Sequence, residues 1–111
     1  MTRKQKKYLF DILQSIEDIR LVHMDGISTE DEFCNDLKTI RSVERELAII
    51  GEAAYQLNKL QLYFPGQDEA INRRNTLVHQ YDAARPANLW NFVQYKLSDL
   101  SETVEELLKE E

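Results

Sequence analysis

The feature that most constrains the fold is residues 35–62, where apolar residues recur every three to four positions. This spacing places them on one side of an α-helix, and no proline interrupts the stretch. The stripe consists of Leu37, Ile40, Val43, Leu47, Ile50, Ala54 and Leu57. Gly51 costs about 1 kcal/mol relative to alanine inside a helix, so its presence there predicts that another helix passes close by.

The same spacing predicts helices along the rest of the chain. A first helix over 3–24 has apolar residues at Leu9, Ile12, Leu13, Ile16, Ile19 and either Leu21 or Val22. A short helix capped by Ser28 or Thr29, a helix from Gln67 to Gln80 and a final helix from Ala87 to Lys109 complete the set. With only 3 Gly and 2 Pro in 111 residues, the sequence predicts an all-α, up-down bundle of four or five helices. We expect a single domain, residues 1–111, and the long apolar stripes indicate a dimer.

Charge and composition narrow the function classes. A net charge of −6 argues against tight non-specific binding of nucleic acid and gives no reason to expect DNA as a partner. It still allows a local basic pocket that touches a few RNA phosphates. One Cys and two His do not favour a zinc site, and we expect no metal or other cofactor. The single Cys34 fits a reducing cytoplasm, and the lack of an apolar run near ~18 residues predicts no membrane partner.

The densest cluster of chemically capable side chains lies in segment 73–82. Asn75 and His79, four apart, share a helix face, and the long stem of Arg74 can bring its guanidinium toward them. His79 has an ordinary pKa near neutrality, and Arg74 can bind phosphate oxygens with two N–H groups at once. An arginine, an amide and an imidazole in this arrangement are suited to hold a phosphodiester and move a proton. The alternative is a polar patch that only caps a helix end.

Two other residues have alternative interpretations. His23 is favoured as a residue stabilised by the C-terminal helix dipole, and a second catalytic histidine is the alternative. Glu52 is favoured as a solvated charge, and contact with a basic group of segment 73–82 is the alternative.

The sequence Arg74-Asn75-x-x-Val78-His79-x-Tyr81 resembles the signature of HEPN proteins, specifically their HepT-like branch. Two further blocks resemble this branch in the same order. They are Ile49-Ile50-Gly51-Glu52-Ala53-Ala54, preceded by Arg45 and Leu47, and Leu89-Trp90.

The resemblance implies a dimeric helical toxin that cleaves RNA, which in some members of the family is tRNA. It implies Arg74 and His79 as catalytic residues, with Asn75 in support. The residues themselves add two expectations: Arg73 supports the site from outside its centre, and the lack of a plausible metal cluster predicts cleavage without a metal. The resemblance also implies a minimal nucleotidyltransferase antitoxin as partner, which attaches AMP to Tyr81. Two alternatives stay open: a non-catalytic subunit that binds a nucleotidyltransferase and a nucleotide, and a structural helical dimer.

Overall fold

A computed structural model describes residues 1–79 and 85–110, without the side chains of residues 76–79. These ranges are all-α, as predicted, and contain six α-helices and one π-helical segment. The elements are α1 (Arg3–Glu17), the π segment (Asp18–His23), α2 (Glu30–Cys34), α3 (Leu37–Lys59), α4 (Gln67–His79), α5 (Pro86–Tyr95) and α6 (Leu97–Lys109). No helix in the described ranges is long and apolar enough to cross a membrane.

Helix α3 lies at the centre of the bundle and contacts α1, the π segment, α2, α4 and α5. Its buried face is the predicted stripe, except that Leu37 in the first turn is 64% exposed. The helix is shorter than predicted at both ends. Asp36 caps its start by accepting a hydrogen bond from the Thr39 N–H, and Gln61, with φ 63°, turns the chain away after its end.

The first predicted helix changes character at Asp18. The Met24 N–H donates to the Ile19 carbonyl at 2.8 Å, five residues back, where an α-helix would use the residue four back. Ile19 and Met24 therefore both face the core, while Leu21 and Val22 are 71% and 63% exposed. The prediction that Leu21 or Val22 continues the apolar stripe was wrong, because the wider turn shifts which residues point inward.

Helix α4 is anchored to α3 at its first residue. The Gln67 side chain is buried, and its amide donates to the carbonyls of Ala54 at 3.1 Å and Leu62 at 3.0 Å. Because a buried amide without partners is costly, these two bonds fix where α4 begins. They set the position of every residue farther along the helix.

The predicted final helix is two helices that meet at Lys96. Helix α5 packs on α2, whereas α6 packs on α1. A straight helix over 87–109 would not turn its apolar face toward both neighbours, and the break at Lys96 permits both contacts while Phe92, Leu97 and Leu100 stay buried. No glycine or proline marks this break in the sequence.

Candidate functional site

The site is built where α4 crosses α3 at Gly51. Gly51 is buried, and a Cβ at this position would overlap the Cβ of Arg74 and lie 2.7 Å from the Ala70 carbonyl oxygen. Two helices can approach this closely only if one contributes a glycine. The expectation that another helix passes Gly51 is confirmed, and the residue that passes it is the motif arginine.

The guanidinium of Arg74 is held from three directions. Its NH1 group donates to the Asn75 Oδ1 at 2.9 Å, and its NH2 group lies 3.0 Å from the Glu52 Oε2. Its central carbon lies 5.6 Å from the ring centroid of Tyr55, within the range of a cation–π interaction. The structure therefore brings Arg74 and Asn75 together, while the expected reach of the arginine toward the His79 imidazole stays a prediction.

The favoured interpretation of Glu52 was wrong, and the alternative, contact with a basic group of segment 73–82, is what the structure shows. We expected a solvated charge, but the carboxylate pairs with Arg74. The reason is the crossing at Gly51, which brings the stem of Arg74 against α3 one residue from Glu52. The pair stays open to solvent, since the side chains of Arg74 and Glu52 are 27% and 46% exposed.

Tyr55 and Lys59 extend this cluster along α3. Tyr55 is 40% exposed, and the Lys59 Nζ lies 5.6 Å from its ring centroid. Lys59 and Arg74 are thus two cations beside one partly exposed ring, an arrangement that suits a polyanion. Neither Tyr55 nor Lys59 was predicted as a site residue from the sequence. Their spacing could have suggested them, because Gly51, Tyr55 and Lys59 recur every four residues on one helix face.

Arg73 faces a different neighbour. Its guanidinium lies 5.3 Å from the ring centroid of Phe92 on α5, whereas Arg74 contacts α3. Adjacent residues on a helix point about 100° apart, so two successive arginines diverge. Arg73 is not among the groups that hold the Arg74 guanidinium.

His79 and Tyr81 are described incompletely. His79 is the last residue of α4, and its side chain is outside the description. The backbone from Asn75 to His79 is helical, so the two residues are one turn apart on the helix, as predicted. Tyr81 lies outside the described residues.

His23 has a partner that neither interpretation named. Its Nε2 donates to the Oε2 of Glu46 on α3 at 2.8 Å. Glu46 is 8% exposed, so the imidazole supplies the hydrogen-bond partner that a buried carboxylate needs. This contact holds the π segment against α3.

No group of three or more metal-binding side chains occurs among the residues that the structure describes. The chemistry that the described part of the site can perform is the binding of an anion. A partly exposed guanidinium that Glu52, Asn75 and Tyr55 hold in one orientation is suited to phosphate.

Comparison with known proteins identifies the family. The model of a family described as ribonuclease HepT-like matches residues 11–107, which covers all the site residues above. The chain belongs to this family. The match confirms the HepT-like resemblance of the three sequence blocks and the all-α fold that it implied.

Several relatives match this HepT-like chain over nearly its whole length. A protein of Thermococcus cleftensis named "Probable ribonuclease HepT" is 34% identical over 98% of this chain and 100% of its own length. A protein of Methanocaldococcus jannaschii named "Putative RNase MJ0127" is 32% identical over 95% of this chain and 88% of its own. No solved structure gives a significant match.

Proposed function

We propose that this chain is a ribonuclease that cleaves RNA without a divalent metal and uses Arg74 and His79. The observation that carries the proposal is the fixed orientation of the Arg74 guanidinium, which Glu52, Asn75 and Tyr55 contact. Arg74 lies on α4, the helix whose last residue is His79. Membership of the ribonuclease HepT-like family and the names of its relatives support the choice of RNA as substrate.

The chemistry requires a proton acceptor, a proton donor and a cation. A base removes the proton of the ribose 2′-hydroxyl, the 2′-oxygen attacks phosphorus, and the bond to the 5′-oxygen breaks as an acid protonates that oxygen. Arg74 stabilises the negative charge that develops on the phosphorane. The imidazole of His79 is the natural proton carrier near neutral pH. Asn75 orients the arginine, and Arg73 acts from outside the centre.

A homodimer would complete this mechanism. One histidine cannot easily act as both acid and base in a single step, and two copies of α4 that meet in one cleft would supply two. Exposed apolar side chains on α1 and α3 support such a contact, because Phe10 and Ile49 are 57% and 38% exposed. We propose that the chain is a single domain that dimerises with both motifs in one cleft.

We further propose that the protein is the toxin of a cytoplasmic toxin–antitoxin pair. A minimal nucleotidyltransferase would neutralise it by attaching AMP to Tyr81. Tyr81 is two residues from His79, and a phosphodiester there would place a negative charge beside the motif cations. That charge would compete with the RNA phosphates for Arg74, and the attached nucleoside would sterically block access to the motif.

The decisive experiment is cleavage of a tRNA mixture and of a single-stranded RNA by the purified chain, with and without EDTA. We expect cleavage both with and without EDTA, and the products should carry 2′,3′-cyclic phosphate and 5′-hydroxyl ends. The His79→Ala variant should not cleave RNA. Cleavage that stops in EDTA, or that survives in His79→Ala, contradicts the proposal. Absence of cleavage, with tight binding of a nucleotidyltransferase, would favour the non-catalytic partner subunit.

A further inference from the structure

The ion pair between Glu52 and Arg74 is not explained by a contribution to folding stability. Both side chains are partly exposed, and ion pairs in contact with solvent contribute little to folding stability. The pair is nevertheless combined with a hydrogen bond from Arg74 to Asn75 and a ring contact from Tyr55. Contacts that converge on one guanidinium fix its orientation more effectively than they stabilise the fold.

The contacts leave Arg74 able to bind a further group. A guanidinium has five N–H donors, and the ion pair with Glu52 and the hydrogen bond to Asn75 involve its two terminal nitrogens, NH2 and NH1. Within the part of the chain that the structure describes, the remaining donors are available to phosphate oxygens. A freely rotating arginine loses much of its side-chain freedom when it binds a phosphate, whereas an arginine already held in one orientation loses less.

The backbone of Arg74 is fixed as well. Gly51 lets the Cβ of Arg74 approach the α3 backbone, and the two hydrogen bonds of Gln67 set the start of α4. The arginine is therefore constrained at its root by helix packing and at its tip by Glu52 and Tyr55 on α3.

We propose that Glu52 and Tyr55 are positioning residues that orient the Arg74 guanidinium for the transition state of RNA cleavage. This inference rests on the proposed ribonuclease function. It assigns two opposing effects to Glu52. The carboxylate repels the RNA phosphate and weakens substrate binding, and it holds the guanidinium where negative charge develops, which raises kcat.

Two substitutions separate these effects. Glu52→Gln keeps an oxygen that accepts the hydrogen bond and removes the charge, so we expect a lower KM with kcat within about threefold of wild type. Glu52→Ala removes the acceptor, and we expect kcat to fall by about 10- to 100-fold, since small displacements of a catalytic group have effects of this size. Tyr55→Leu removes the ring beside the Arg74 guanidinium and should lower kcat.

The matched control is Glu44→Ala. Glu44 lies on the same helix and pairs with Arg41 at 2.8 Å, two turns before Glu52. The substitution removes an ion pair of α3 that does not involve Arg74, and we expect its kcat and KM to equal those of wild type. Equal losses in Glu44→Ala and Glu52→Ala would show a structural effect and overturn the inference.

A second measurement does not depend on activity. The Nε–Hε NMR signal of Arg74, identified by its loss in Arg74→Lys, should be resolved and slow to exchange in wild type and in Glu44→Ala, and averaged in Glu52→Ala. A rigid Arg74 signal in Glu52→Ala overturns the inference, as does a kcat equal to or above that of wild type. If wild-type protein does not cleave RNA, the proposed function fails, and the NMR comparison alone still decides whether Glu52 orients Arg74.

Discussion

Gly51 and Arg74 face each other so closely across α3 and α4 that a single methyl group on Gly51 would overlap the arginine Cβ. The Ala70 carbonyl oxygen, which is backbone, would lie 2.7 Å from the same methyl group. Neither neighbour is the free end of a flexible side chain. The helices would have to separate to admit the methyl group.

We therefore expect Gly51→Ala to destabilise the protein although alanine is the better helix former. Overpacking costs about 1–3 kcal/mol, which should exceed the gain of roughly 0.5–1 kcal/mol from helix propensity. Urea unfolding measures the difference. Ser42→Ala on the same helix is the control and should change stability by no more than about 0.5 kcal/mol. A Gly51→Ala protein more stable than wild type would show that α4 is not held at this crossing.

Arg74→Ala should reduce RNA cleavage much more than Arg73→Ala. Loss of one donor to a developing oxyanion costs about 2.7–4 kcal/mol, or roughly 10²–10³ in kcat, and only Arg74 belongs to the held cluster. Arg73 stacks on Phe92, so its removal should act mainly through the local field and packing. Single-turnover rates at saturating RNA make the comparison, with circular dichroism to verify folding. Equal losses for the two variants would show that the contacts of Arg74 do not select it for catalysis.

His23→Leu should destabilise the protein by about 1–3 kcal/mol, because it leaves the Glu46 carboxylate buried without its partner. Replacing both residues by leucine should recover much of that loss, since no polar group then remains unpaired. A double-mutant cycle in urea measures the coupling. If the two single losses simply add in the double variant, His23 and Glu46 do not depend on each other.

Cys34 should react slowly with thiol reagents at neutral pH. Burial raises the pKa of the Cys34 thiol, and the carboxylates of Glu30 and Asp31 raise it further. A raised pKa means a smaller thiolate fraction near pH 7, and the thiolate is the reactive species. The rate of modification by a disulfide reagent should therefore rise at a higher pH than for free cysteine. Glu30→Gln should move the profile back toward lower pH, and a profile that matches free cysteine would contradict the assignment.

Much of the fold could be predicted because the three-to-four-residue spacing of apolar side chains identifies the buried face of a helix. Leu47, Ile50 and Leu57 were expected in the core and lie there. The break at Lys96 could not be predicted, since it depends on α5 and α6 packing against different helices and has no local signal.

For the candidate site, contacts within α4 could be predicted from the sequence, whereas side-chain contacts between α4 and α3 could not. Local spacing on α4 placed Asn75 and His79 on one face with Arg74 within reach, and the structure shows the contact between Arg74 and Asn75. The partners of Arg74 on α3 depend on where two helices cross, which is long-range information. For that reason Glu52 received the wrong preference and Tyr55 was not identified. The catalytic roles of Arg74 and His79 and the modification of Tyr81 stay predictions.

The π segment leads to an evolutionary expectation for the relatives of this chain. A π turn is equivalent to one residue inserted into an α-helix. A relative that lacks one residue between Asp18 and His23 would continue α1 as an ordinary α-helix, because the shorter chain no longer needs the wider turn. The residues after the deletion would keep the orientation that the π turn gives them here, and the counterpart of His23 would still face α3. Alignments of the family should therefore show single-residue gaps at this place, and an acidic residue matching Glu46 should be kept with and without the gap.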